Sequence, residues 1–260
     1  MKRTQLIAFC ILVLCSLLLI VNVGTTMASE PGYSFTEYYG GTAVTIDGKW
    51  TTADEWHDVT TQRIGTPQVA IFEYKMDTTA GYVMTWLLEF ADKTNDAGDR
   101  WQICIDGNAD GGAAPNANDN KWEIEGHTTL KQYVGTGTGW ATQATTGITW
   151  KDKLTTSPHD PATHYILEFQ IDKNAYAGGW GANPPPEGIR VAMYDASNAA
   201  AGWQAWPPES ISKDNPARWG LIADYVMGAA PEGLTIGVML ALSSVAVVVS
   251  IRYFRKRPKL

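Results

Sequence analysis

The chain has 260 residues, 45% of them hydrophobic, and a formal net charge of −7. All 27 acidic residues lie between Glu30 and Glu232, with 13 of the 20 basic ones, so that span carries 13 − 27 = −14. Such a surface repels nucleic acid and anionic headgroups and excludes DNA as a partner; it suits neutral ligands, cations or a salty exterior.

Lys2 and Arg3 precede an apolar run from Leu6 to Val23, and small residues follow at Ala28-Ser29. The pattern predicts a secretory signal peptide over residues 1–28, cut after Ala28, with an uncleaved signal anchor as the alternative. Cys10 and Cys15 lie inside that run, so the mature chain keeps Cys104 alone and has no intrachain disulfide. Core packing, with or without metal, must hold the domain of residues 29–226 together.

Within that domain no helix-length 3.6-residue period stands out. Short β-branched and aromatic runs recur instead, split by Gly, Asn, Asp and Pro. They predict strands over Ala43–Ile46, Gln68–Lys75, Tyr82–Ala91, Trp101–Ile105, Lys121–Ile124, Ile148–Trp150, His164–Ile171, Ile189–Tyr194 and Trp219–Ala223. Alternation is clearest at Tyr165, Leu167, Phe169 and Ile171, which share one face. The fold class predicted is all-β, an antiparallel β-sandwich of jelly-roll-like form. A helical turn is expected at Thr52–Trp56, another after Asp172, and loops over Asp106–Asn120 and Gly178–Gly188.

Residues 227–233 are expected to form a short stalk. Leu234 to Ile251 is an 18-residue stretch without charge, about 27 Å long as a helix and enough for one hydrocarbon core. The tail 252–260 brings three arginines and two lysines, which hold it in the cytoplasm. The expectation is a single-pass cell-membrane protein with its N-terminal domain extracellular and its C-terminus cytoplasmic.

Asp106-Gly107-Asn108-Ala109-Asp110-Gly111 matches the first half of an EF-hand-like loop, in which alternate oxygens wrap a hard cation. Ala117 stands where the closing Glu would be, so Asn116, Asn118, Asp119 or Glu123 must complete the shell. The metal set expected is Asp106, Asn108, Asp110 and Asp119, binding Ca2+; the alternative is a solvated acidic loop. Of eleven tryptophans, Trp86 and Trp101 sit in predicted strands and read as core, whereas Trp140, Trp180, Trp203 and Trp206 lie among glycines and prolines. Indole faces stack on sugar rings, so these four are the candidate ligand-binding residues; alternatively they plug the ends of the sandwich.

No catalytic motif emerges. Glu123 and Glu125 share a strand face but read as solvated acids, and Ser210 and Ser212 lack a nucleophile elbow. His57, His127, His159 and His164 show no zinc spacing such as H-x-x-x-H. A haem b held by methionine with histidine or lysine is a second cofactor reading, with Met76, Met84 and Met193 in predicted strands.

Ile46-Asp47-Gly48 followed by Asp54-Glu55-Trp56 resembles the opening of family 9 carbohydrate-binding modules and related DOMON-like domains. Tyr165 to Ile171 is similar to their central E-x-x-I strand, and Pro216-Ala217-Arg218-Trp219-Gly220 to their closing strand. The resemblance covers about Thr42 to Asp224. It implies a β-sandwich that binds sugar between aromatic side chains, often with structural calcium; other relatives hold b-type haem. Pro231-Glu232-Gly233, the apolar span and the basic cluster resemble exosortase and archaeosortase sorting signals, which implies a sorting protease as partner and an archaeal surface. The function expected is non-catalytic carbohydrate binding at the cell surface. The alternatives are haem-based electron transfer and a structural envelope or adhesion protein.

Overall fold

The computed structural model describes residues 29–65, 69–77, 83–172 and 187–223. Fourteen strands occur among them: β1 (Ser34–Thr36), β2 (Tyr39–Gly40), β3 (Thr60–Ile64), β4 (Ala70–Asp77), β5 (Val83–Phe90), β6 (Arg100–Asp106), β7 (Asp119–Glu125), β8 (Thr129–Gly135), β9 (Trp140–Gln143), β10 (Ile148–Thr155), β11 (His164–Asp172), β12 (Glu187–Tyr194), β13 (Gln204–Trp206) and β14 (Gly220–Ala223). One α-helical turn, α1, spans Glu209–Ser212, and 3-10 turns span Ala199–Ala201 and Pro216–Arg218.

The strands form two sheets. One runs β1-β14-β12-β6-β7-β8-β9, with β13 also paired to β12; the other runs β10-β11-β5-β4-β2, with β3 also paired to β4. Pairing is antiparallel except for β1 with β14 and β2 with β4. The fold is therefore the all-β, two-sheet arrangement expected from the period-two patterning.

Alternation decides what lies between the sheets. Tyr165, Leu167, Phe169 and Ile171 of β11 face inward with Met84, Trp86 and Leu88 of β5, and meet Trp101, Ile103 and Ile105 of β6 and Ile189, Val191 and Met193 of β12. Trp86 and Trp101 are core, as their strand positions predicted. So are Met76, Met84 and Met193, the methionines considered as haem ligands, each fully buried in this cluster. Each large aromatic ring buries roughly 150–250 Å2, worth several kcal/mol in transfer terms.

Ala43–Ile46, expected as a strand, joins neither sheet. It belongs to a strap, residues 41–58, that crosses the outer face of the second sheet and packs Trp56 on Leu87 and Ile166. Buried charges fix the strap. Glu55 accepts the N–H groups of Thr45 and Thr51, each at 2.7 Å. Glu168 accepts those of Asp47 and Gly48. Thr52–Trp56 is the turn expected there, closed by the Glu55 N–H to the Thr52 carbonyl at 3.2 Å.

At the closing strand, Gly220 lies under Trp206: a Cβ there would sit 2.2 Å from the indole Cζ3. Trp206, opposite Val191, turns inward against Phe35 and Phe72. The chain divides into units Met1–Ala223 and Asp224–Leu260, and every described residue belongs to the first. The expected leader 1–28, stalk 227–233, span 234–251, tail 252–260 and the turn after Asp172 lie outside the described residues. Among the described residues no helix is long and apolar enough to cross a membrane.

Candidate functional site

β13 is three residues long, and its chemistry follows from which side of β12 each residue meets. Trp206 faces the core, while Trp203, just ahead of the strand, is half-buried, its ring tilted on Tyr194 at 5.6 Å. Where β3 of one sheet abuts β13 of the other, Tyr33, Arg63, Trp203, Gln204, Trp206 and Glu209 line an open cleft of about 400 Å3. That volume lies in the range of small-ligand sites. Glu209 is tied to the buried Arg190, whose guanidinium also donates to Gln102 Oε1 at 2.9 Å.

The four expected tryptophans are not equivalent. Trp203 offers a partly exposed indole to the cleft. Trp206, expected to be exposed, is 5% exposed and forms the cleft floor and part of the core. The correction has a simple cause, since the register with β12 aims it between the sheets. Trp140, on β9, is half-buried and engaged: it is parallel to Trp219 at 6.4 Å, has Lys121 Nζ 4.9 Å from its ring centroid, and donates Nε1–H to Asp214 at 2.7 Å. Trp180 lies outside the described residues. Tyr33, Arg63 and Glu209 carried no local signal; the fold alone gathers them.

The acidic loop converges only in part. Asp106 and Asp119 are cross-strand partners at the ends of β6 and β7, both fully buried. Asp106 accepts the N–H of Gly111 at 2.8 Å, and Asp119 Oδ2 accepts that of Asn116 at 2.6 Å. Asp119 Oδ1 is buried without a hydrogen-bond partner. Burial, opposed by the Asn116 N–H and reinforced by the Asp106 and Asp110 charges, pushes the Asp119 carboxyl up to about 7. Asn108 and Asp110 stay at the exposed rim, bonded to each other at 2.9 Å. Glu123, a candidate to complete the shell, shares the sheet face of Asp119 but lies four residues further along β7, where it meets Gln102.

A second acidic group joins several loops. Ligand atoms of Asp92, Asp99 and His127, and of Asp96, Asp99 and Asp195, lie within 4.8 Å of one another. His127, at φ 59°, stacks on Tyr165 and sits between Asp152 (2.6 Å) and Asp99 (3.1 Å). Burial works against its charge, but the two carboxylates more than offset it and raise its pKa.

No family model matches the chain, and no curated protein does. Among solved structures it is similar to a family 9 carbohydrate-binding module from Caldicellulosiruptor kristjanssonii. The module in complex with cellotriose has 19% identity and a TM-score of 0.50, covering 74% of this chain and 93% of that one. The same module in complex with glucose has 16% identity and a TM-score of 0.49, covering 74% and 95%. At this identity the likeness is one of fold: the chain has the two-sheet arrangement of a family 9 module.

Proposed function

We propose that this protein binds carbohydrate without transforming it, in the cleft beside Trp203. The observation that carries the reading is a partly exposed indole over an open cleft whose rim offers Gln204, Glu209 and Ser210 to hydroxyl groups. Apolar ring faces stack on indole while amides and carboxylates take the hydroxyls. Among the described residues Glu209 is the one carboxylate that lines the cleft, and it is bound to Arg190, so none of them supplies the second acid of a paired-carboxylate hydrolase. The module of like fold was solved with cellotriose, which names the β-glucan class as the first to test.

The same reading takes Asp106 and Asp119 as holders of Ca2+, a hard cation that would engage the orphaned Asp119 Oδ1. It also takes the apolar stretch 234–251 as the anchor that displays the domain outside the cell. Titration of the intrinsic tryptophan fluorescence with cellotriose and glucose tests the binding. A saturable change with matching calorimetric heat is expected; the absence of both for a panel of neutral oligosaccharides would leave a structural envelope protein.

A further inference from the structure

The β5–β6 and β12–β13 connections are distant in sequence and touch through small residues: a Cβ on Gly98 would sit 2.7 Å from that of Ala196. The contact gathers four aspartates, Asp92, Asp96 and Asp99 from the first connection and Asp195 from the second. Ligand atoms of Asp96, Asp99 and Asp195 lie within 4.8 Å of one another, and Asp99 shares a second such group with Asp92 and His127. The Arg100 guanidinium reaches the carbonyls of Ala97, Gly98 and Asp99, but it pairs its charge with Glu125 at 2.8 Å. Among the described residues no lysine or arginine forms an ion pair with any of the four aspartates.

Solvation does not account for this cluster, because one member is shut away from water. Asp92 is 5% exposed; its Oδ1 accepts both the N–H and the hydroxyl of Thr94 at 2.8 Å, while its Oδ2 is buried with no hydrogen-bond partner. The charges of Asp99 and Asp195 both bear on this carboxylate. A proton on Oδ2 would leave the difficulty in place, since a buried O–H needs an acceptor. A cation removes it: oxygens at roughly 2.3–2.6 Å from one calcium ion stand as much as about 5 Å apart.

Asp99, common to both groups, is held in position from behind. Its Oδ1 accepts the Ala196 N–H at 2.9 Å and its Oδ2 that of Asp96 at 2.8 Å. His127 has Nε2 3.1 Å from the same Oδ2 and Nδ1 2.6 Å from Asp152, so both ring nitrogens are engaged and the ring braces Asp99 instead of serving as a ligand.

We infer that Asp92, Asp96, Asp99 and Asp195 form a calcium site that clamps the β5–β6 connection to the β12–β13 connection. An all-carboxylate set carried on loops suits a hard ion of adaptable coordination over zinc or copper, which favour nitrogen and sulfur. The site shares no residue with the Asp106–Asp119 loop. The clamped segment opens at Asp195, beside Tyr194, and runs to Trp203, whose ring rests on Tyr194. Ion binding therefore fixes the loop that carries the partly exposed indole of the cleft; this last consequence alone rests on the sugar reading.

The test uses the purified full chain, stripped with chelator and titrated with Tb3+, a calcium surrogate whose luminescence is excited through nearby aromatic rings, and then with Ca2+. Expected is a saturable signal reversed by Ca2+, with slower hydrogen exchange at the Ala196 and Asn198 amides when Ca2+ is bound. Asp195→Asn and Asp96→Asn, at half-buried side chains, should keep the fold, weaken binding about tenfold or more and remove the effect on exchange. Asp119→Asn should leave that effect in place. Calcium that does not protect the two amides would overturn the inference, whether or not it binds at Asp119 and whether or not cellotriose binds. So would protection that survives both aspartate substitutions.

Discussion

A single carboxylate oxygen of Glu168 accepts the backbone N–H of Gly48 at 2.8 Å, from a residue 120 positions earlier in the chain. The same oxygen takes the N–H of Asp47, and the other takes the Trp56 indole at 3.2 Å. Gly48 has φ 77°, and a Cβ there would lie 2.8 Å from the backbone carbon of Asp152. Gly48→Ala is therefore expected to cost about 1–3 kcal/mol through backbone strain. Glu168→Gln should cost a similar amount, because an NH2 group would face N–H donors. Chemical denaturation of both variants measures it; losses near zero would mean that the strap does not depend on this contact.

Lys75 is fully buried, and its ammonium spends three donors on Thr42 O, Glu55 O and Asp58 Oδ1, each within 2.8 Å. Burial alone would raise the Asp58 carboxyl, but the hydrogen bond and charge of Lys75 hold it below its ordinary 3.8. The folded state then binds fewer protons here than the unfolded chain at acid pH. The stabilisation is present above 3.8 and is lost as pH falls through the depressed value. Asp58→Asn should lower the melting temperature at neutral pH, and the gap to the unsubstituted protein should close in acid. A gap that stays constant with pH would contradict the pairing.

The cleft makes two tryptophans separable. Trp203→Ala should abolish cellotriose binding while leaving the melting temperature nearly unchanged, since the ring is half-buried at the rim. Trp206→Ala should destabilise the domain by about 3–5 kcal/mol, the cost of removing a large aromatic from a packed core. Binding that persists in Trp203→Ala would move the sugar elsewhere.

At the acidic loop, Asp119→Asn removes one of two buried carboxyls that face each other across β6 and β7. Without calcium the variant should melt higher than the unsubstituted protein. With millimolar calcium the order should reverse, because the variant lacks the charge that holds the ion. A calcium response equal in both proteins would release the loop from any metal role.

Legibility in the sequence followed the locality of the cause. The inward face of β11 could be read because alternation is written in nine consecutive residues. β8 and β9, with Lys131, Gln132, Thr142 and Gln143, carry too few apolar residues to announce strands; their pairing with β7 makes them so. Ala43–Ile46 has strand composition, yet the Thr45 N–H is claimed by the buried Glu55 carboxylate instead of a ladder. Trp206 reads as loop beside Pro207 and Pro208, since the partner that turns it inward, Val191, is distant in the chain. His159 and His164 give no local sign of the acid they share, because Glu89 lies on another strand.

Gly220 is small because of an indole fourteen positions before it. The two sites are therefore constrained as a couple: a chain bearing alanine at 220 would have to shed ring volume at 206, and the floor beneath Trp203 would drop. Exchange at 206 alone is limited by what its glycine neighbour admits, so any reshaping of the cleft should proceed from the rim inward.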